Sequence, residues 1–531
     1  MVLVTGGAFA ANKPPGDIVY ETEYVELWNQ HGDKWSKEDQ DLDKTLADME
    51  KKFGKRPNII HVMYDDHSLG EVGIPEMNKV LGFDTPRINR MADEGISFTR
   101  MYTEVSCTPS RTAALTGRLA VRAGMTRVGF PVDGTGLHKD EVTIAEVLSS
   151  AGYKTAFFGK AHQGDIEQSY MQNQGFDVAN FSMYNQFPLM TWQPPLAAAG
   201  VVEGLMPFQW DKDYTLDQNF RPLGYLNQLE ARKGEKAKAF GGTTIPDYKK
   251  LLLANQLQTL DFIGKNADSD KPFYVAYWPH VYDPIRKPSD LTTSANTWFA
   301  QSVVEFDSNV GQILDLLKQK GIAENTLVIV MADNGPMLEM APIGPHEAIF
   351  RGGKGESLEG GIRVPAFAWW PGVIEPDQVV GDMVTIYDLF TTFARLGNAM
   401  DEIPTDRVID GIDQTALLLN GDGHSRRDYA HVYVGEELSA SIKQQIKRVW
   451  EGERQGLVGK NFHDLYKDNR EEYAKMPQFL WAWPAFDHMK ARHENLIEKY
   501  PNRPPTHGRP YEGIENLSPE AQALADRVPV H

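Results

Sequence analysis

From Asn58 onward the chain alternates short apolar runs with longer amphipathic stretches, and this alternation limits the fold more than any other feature of its 531 residues. The runs at 59–63, 155–158, 273–277 and 327–331 are apolar nearly throughout rather than at every second position, the pattern of strands buried on both faces. Helix signals lie between them. Thr85-Pro86 sets a cap and a first-turn proline ahead of Ile88 and Met91, and Gly95 closes the segment. Thr143 and Glu146 have the spacing of a capping box before Val147 and Leu148. Val303, Phe306, Val310, Ile313, Leu314 and Leu317 share one helical face that stops at Gly321. The pattern predicts an α/β fold, with a large mixed, mostly parallel sheet flanked by helices on both faces.

In such a sheet ligands bind beyond the carboxyl ends of the strands. Each run delivers polar residues there: Tyr64-Asp65-Asp66, Gly159-Lys160-Ala161-His162, Trp278-Pro279-His280 and Ala332-Asp333-Asn334-Gly335. That edge is the expected active site. Asp65, Asp66, Asp333 and Asn334 offer only oxygen, which suits a hard cation rather than zinc. Paired aspartates also occur in solvated turns, and it is the preceding strand together with the later Asp-Asn dyad that favours a site. Lys160 and His162 are two residues apart and would point the same way on an extended segment.

Cys107 is the only cysteine, so the chain has no internal disulfide and no thiolate metal cage. It stands in Cys107-Thr108-Pro109-Ser110-Arg111, followed by Thr112-Ala113-Ala114-Leu115-Thr116-Gly117. The stretch resembles the signature Cys-x-Pro-Ser-Arg-x-x-x-Leu-Thr-Gly of the type I, formylglycine-dependent sulfatases, arylsulfatase-like members of the alkaline phosphatase superfamily. Seven fixed positions matching by chance would occur in about one in a million chains of this length. The resemblance covers most of 58–413, with the separate motifs in the family's order.

That resemblance implies an alkaline phosphatase-like fold and oxidation of Cys107 to formylglycine by a formylglycine-generating or sulfatase-maturating enzyme. It implies Asp65, Asp66, Asp333, Asn334 and the modified Cys107 as ligands of Ca²⁺, with Mg²⁺ or Mn²⁺ as alternatives. Lys160 and Lys354 would contact sulfate, His162 the nucleophile, and His280 would protonate the leaving oxygen. One hydroxyl of the formylglycine hydrate would attack sulfur, and the other would lose its proton to regenerate the aldehyde and expel sulfate. Arg111 lies one helical turn from Cys107 if a helix begins near Pro109, and that helix start would turn amide N–H groups toward an anion. Two segments depart from the family pattern: 67–71 is longer than usual before its glycine, and 159–164 lacks the customary tryptophan and leucine. His61, His67 and His346 match no motif.

The expected activity is hydrolysis of a small-molecule sulfate monoester, aryl or otherwise organic, by a sulfuric ester hydrolase. A formylglycine-dependent phosphonate monoester or phosphodiester hydrolase is the alternative, and an inactive sulfatase-fold binding protein a lesser one. The net charge of −19 excludes a nucleic-acid partner and requires a local cationic site for any anionic substrate. No apolar run approaches a membrane span. Small residues near the start, through Ala10-Ala11, resemble the end of a secretory signal, so a periplasmic or secreted location is expected, with the cytoplasm as alternative. The sequence leaves the oligomeric state open, a homo-oligomer included.

Three regions are expected: a helical extension over 1–56, a catalytic α/β domain over 57–424, and a smaller antiparallel sheet plus helix over 425–531. In the first, Trp28, Trp35, Leu42, Leu46 and Met49 have helical spacing, and in the last, strands are expected at 431–434 and 441–450. An insertion at 181–214, with Met183, Tyr184, Phe187, Met190, Trp192 and Trp210, would either line an apolar pocket or pack onto the domain. Trp481 and Trp483 belong to a tail with no assigned chemistry.

Overall fold

An eleven-stranded sheet carries the body of the molecule. In this computed structural model the described residues are 14, 16–130, 133–184, 228–240, 245–283, 288–338, 349–421, 424–450, 462–474 and 481–511. The signal-like start, Phe187, Met190, Trp192, Trp210 and His346 lie outside them. Across the sheet the strands run in the order Gln378–Val380, Ile96–Tyr102, Arg363–Trp369, Thr326–Ala332, Asn58–Tyr64, Phe273–Trp278, Lys154–Lys160, Val178–Ser182, Gln228–Arg232 and Lys238–Phe240, with Val384–Thr385 also paired to Ile96–Tyr102. The middle four, from Thr326–Ala332 to Lys154–Lys160, are mutually parallel. Arg363–Trp369 is antiparallel to both its neighbours, which makes the sheet mixed.

The apolar runs are central strands because nothing in them tolerates water. Every residue of Asn58–Tyr64, Phe273–Trp278 and Thr326–Ala332 is buried. Helix caps follow the sequence signals. Thr143 and Glu146 make the reciprocal capping box; Thr297, not among the expected helix starts, caps Trp298–Gln319 by accepting the Ala300 N–H at Oγ1. Helix Pro86–Asp93 is capped instead by a neighbour: the Asp307 carboxylate accepts the N–H groups of Arg87 and Ile88 at 3.1 and 2.8 Å.

Helix Cys107–Thr116 starts two residues earlier than Pro109 suggested. Proline fits its first turn because N–H groups there have no intrahelical acceptor to lose. All ten of its residues are buried, and Gly117 ends it in the left-handed conformation.

The small sheet orders Tyr429–Val434, Glu437–Lys443, Ile446–Val449 and Phe462–Asp464, all antiparallel. The single strand expected over 441–450 is the end of one strand and the whole of the next. A two-residue turn at Gln444-Gln445 separates them, with Gln444 at φ +55°. The turn is made by two glutamines, without the Gly, Asn or Pro that would have marked it.

Helix Thr22–Phe53 lies against helices Trp483–Lys499 and Thr415–Leu419. Tyr24, Trp28 and Trp35 share one apolar cluster with Ile412, Tyr429, Ile446, Trp450, Phe486 and Met489, so both ends of the chain are built around the small sheet. Leu42 and Leu46 are buried further along the same helix, Leu46 within the main core. Trp481 is exposed, whereas Met183 and Tyr184 are packed into the main core. No helix among the described residues is long and apolar enough to cross a membrane.

Gly159 stands one residue before Lys160 at φ +122°, where a Cβ would lie 1.9 Å from the Trp278 carbonyl oxygen. Gly159→Ala is therefore expected to destabilise the fold by on the order of 1–3 kcal/mol or more. Denaturant unfolding checks this, and an unchanged midpoint would contradict the close approach.

Candidate active site

The four central strands end side by side, and their carboxyl ends carry the residues marked by the sequence. Asp65 and Asp66 follow Asn58–Tyr64, Lys160 closes its strand, His280 follows Phe273–Trp278, and Asp333 and Asn334 follow Thr326–Ala332. The turn after Tyr64 is tight: Asp66 has φ +54°, a conformation Asp tolerates better than most residues. Its N–H donates to Asp333 Oδ1 at 3.1 Å, tying the two acidic turns together.

Helix Cys107–Thr116 packs over this edge and brings Cys107 and Arg111 to it. Arg111 is fully buried and spans two carboxylates, donating from Nε to Asp333 Oδ2 at 2.9 Å and from Nη2 to Asp65 Oδ1 at 2.8 Å. Its Nη1 donates to the Lys160 carbonyl at 2.6 Å, and Trp278 lies beneath it with the ring centre 5.4 Å from Cζ. Lys160 Nζ donates to Asp65 Oδ1 at 2.5 Å. Lys354 donates to Asp66 Oδ1 and Oδ2 at 2.8 and 3.0 Å and reaches Cys107 Sγ at 2.8 Å. Asn334 Nδ2 donates to Asp66 Oδ1 at 2.7 Å.

Asp65, Asp66, Cys107, Arg111, Lys160, Asp333, Asn334 and Lys354 thus form one buried network. His162 and His280 stand beside it on other partners. His162 has φ +53°, so it leaves the extended path on which it and Lys160 would have pointed alike, and its Nε2 lies 3.0 Å from the Gly129 carbonyl. His280 Nε2 is 2.6 Å from Ser182 Oγ, whose hydroxyl donates to the Tyr184 carbonyl.

Burial and charge oppose one another throughout. Burial alone would raise the Asp65 carboxyl, but Lys160 and Arg111 hold it below the ordinary carboxylate range. Burial pushes Asp333 up to about 6 despite Arg111. Burial, then the nearby Asp333 carboxylate, pushes the Cys107 thiol up to about 12. Burial would lower Lys354, yet Asp66 and Cys107 keep it well above its usual value. Burial lowers His280 to about 3 and puts His162 well below the usual range.

The donor set fits a hard cation. Asp65, Cys107 and Asp333 each place a ligand atom within 4.8 Å of the others, Asp66 and Asn334 are bonded into the same cluster, and all but the thiol offer oxygen. Asn334 Oδ1 is buried with no hydrogen-bond partner among the described residues, a cost that a cation would remove.

Three contributors carried no sequence signal. The Tyr282 hydroxyl lies 3.1 and 3.0 Å from the carbonyls of Asp65 and Asp66 and steadies their turn. Ser182 holds His280. Gln163 occupies the segment that departs from the family pattern and accepts from Thr112 Oγ1 at 2.8 Å, joining the strand end to the cysteine helix. His67 stacks near Tyr282 with Nδ1 2.5 Å from the Asp65 carbonyl, while His61 is buried against Trp278 and Phe393.

The sulfatase family profile matches residues 57–399, more than half of the chain. The chain belongs to the sulfatase family. Rat steryl-sulfatase is 33% identical over 444 residues, covering 73% of this chain and 74% of its own length. The N-acetylgalactosamine-6-sulfatase of Canis lupus familiaris is 31% identical over 446 residues, covering 79% and 78%. Among solved structures, the PsFucS1 sulfatase of Pseudoalteromonas sp. superposes with a TM-score of 0.77 at 28% identity, over 88% of this chain and 96% of that one. This sulfatase is a sulfuric ester hydrolase with the alkaline phosphatase-like architecture of its relatives.

Removing Arg111 would leave Asp65 and Asp333 buried side by side without their shared cation. In chelator-treated buffer, Arg111→Ala should cost about 3–5 kcal/mol in denaturant unfolding. Added calcium should recover part of that loss, and no recovery would contradict a cation seat between these carboxylates.

Proposed function

We propose that this sulfatase hydrolyses sulfate monoesters of aryl or other small organic alcohols, using a formylglycine made from Cys107 and a divalent cation held by Asp65, Asp66, Asp333 and Asn334. The observation that carries the reading is the state of Cys107. The side chain sits at the focus of the network, fully buried, with its thiol pushed up to about 12, so an unmodified cysteine stays un-ionised at neutral pH. Sulfur is also the odd donor among hard oxygens, and conversion to an oxygen-bearing side chain removes both mismatches. A cation such as Ca²⁺ would supply charge to polarise a sulfate oxygen, and the formylglycine hydrate would supply the oxygen nucleophile.

The chain's own groups account for the rest. Lys160 and Lys354 lie against Asp65 and Asp66 and can turn their ammonium groups to an incoming anion. Arg111 keeps Asp65 and Asp333 ionised and in place. Helix Cys107–Thr116 has no side-chain cap on its first N–H groups, so its N-terminus favours negative charge at position 107. His280, oriented by Ser182, would give its proton to the leaving oxygen once the charge of a bound sulfate ester offsets the burial that keeps its imidazole neutral in the resting protein, and His162 steadies the nucleophile.

With nitrophenyl sulfate and a nitrophenyl phosphonate monoester assayed on one preparation, kcat/KM should favour sulfate; a large preference for phosphorus would replace this reading with a phosphonate hydrolase. Cys107→Ala should abolish turnover with little change in thermal midpoint, and retained activity would remove residue 107 as the nucleophile. His280→Ala should lower kcat for alkyl sulfates by about 10²–10⁴-fold and much less for nitrophenyl sulfate. Equal losses on both would contradict an acid role.

A further inference from the structure

A second group of side chains of metal-ligating type lies where helices Thr22–Phe53 and Trp483–Lys499 meet the small sheet. Glu21 caps helix Thr22–Phe53, His431 belongs to strand Tyr429–Val434, and His493 belongs to helix Trp483–Lys499. All three are at least 96% buried, and one donor atom from each lies within 4.8 Å of the other two. We propose that Glu21, His431 and His493 form a structural zinc site, separate from the sulfatase centre and independent of the function assigned to it.

The histidines are arranged as ligands usually are, with one ring nitrogen held by an outer partner and the other left for the metal. His431 Nδ1 is 3.0 Å from Ser441 Oγ, which also accepts the Trp450 indole N–H at 2.9 Å. His431 Nε2 is buried with no hydrogen-bond partner among the described residues, and an orphaned imidazole nitrogen in a dry interior costs stability until it meets a proton or a cation. His493 Nε2 is held by the Tyr433 hydroxyl at 2.7 Å, which turns Nδ1 to Glu21 Oε2 at 2.8 Å. The two rings stack with centres 4.1 Å apart and planes 29° from parallel, so a shared ion requires one ring to tilt out of the stack to bring its in-plane lone pair onto the metal.

Two imidazoles and one carboxylate are a zinc donor set, unlike the all-oxygen cluster of Asp65, Asp66, Asp333 and Asn334. Glu21 Oε2 accepts from Arg122 Nη2 at 2.6 Å, but Arg122 is itself matched by Asp410, with Nε 2.8 Å from Oδ2 and Nη2 3.0 Å from Oδ1. Zinc would take the Nδ1 lone pair of the His493 tautomer whose ring proton sits on Nε2, toward the Tyr433 hydroxyl, and Glu21 Oε2 would exchange its contact with Nδ1 for the metal. The ion would pin the first helix, the small sheet and the last helix at one point. Through Arg122 and Asp410, whose carboxylate accepts the Leu119 N–H, it would brace the segment just beyond the Cys107 helix.

The test uses the full chain, stripped with chelator and then saturated with calcium so that the Asp-rich cluster is filled. Zinc chloride added at neutral pH should leave one zinc per chain after gel filtration and raise the thermal midpoint by several degrees. His431→Gln and His493→Gln should each lose that zinc and the shift while retaining wild-type calcium content. Wild-type protein that keeps no zinc, or variants that keep as much as wild type, would overturn the site. Should either variant fail to fold, the X-ray absorption spectrum of zinc-loaded wild type decides: scattering from two imidazoles is expected, and an oxygen-only shell would refute the proposal.

Discussion

Everything at the sulfatase centre depends on burying three carboxylates at one sheet edge without paying the full desolvation of their charge. Arg111 makes that feasible by spanning Asp65 and Asp333, while Lys160, equally enclosed, answers Asp65 and the half-buried Lys354 answers Asp66. The cations differ in what they can give up. Arg111 is fully enclosed and pinned by two carboxylates and a carbonyl, so it is structural to the cluster. The lysines are compact ammonium groups, Lys160 bonded to Asp65 and Lys354 to Asp66 and Cys107 Sγ, and they can turn to a bound anion. An arriving cation and an arriving sulfate group would each satisfy part of what the resting protein satisfies internally.

The same frame explains why the nucleophile position sits on a helix rather than a loop. Helix Cys107–Thr116 is buried on every face, closed at Gly117, and followed by backbone held to Asp410. A rigid mount costs the chain its freedom there but keeps residue 107 and Arg111 in fixed relation to acidic turns on two other strands. The turn at Asp65-Asp66 is held with equal care, by Tyr282 on its carbonyls and by Asp333 on the Asp66 N–H. Substrate choice must lie with the surrounding loops, since the core of the centre contains nothing that would tell one alcohol from another.

Much of this was legible in the amino-acid order, for a physical reason. Strands buried on both faces hold few polar residues, His61 being one, so the acidic, basic or amide residues that follow runs such as 59–63 and 327–331 mark the carboxyl edge. The helix cap at Thr143 was equally legible, being local chemistry. What escaped notice was whatever depended on tertiary partners. Asp307 caps another helix, Gln444 turns a strand without a turn residue's signature, and His162 leaves the extended path at a positive φ. Tyr282 and Ser182 act through contacts with residues distant in the chain, and Glu21 meets His493 only because the two termini fold together.

The central claim is that a former thiol at position 107, rather than cysteine itself, is the reactive group at this edge. Its most direct test is the mass of the tryptic fragment 101–111 from catalytically active protein. The account predicts a fragment lighter than the cysteine form by one sulfur less an oxygen plus two hydrogens, in proportion to specific activity across preparations. Full sulfatase activity from protein in which that fragment is entirely unmodified would contradict it.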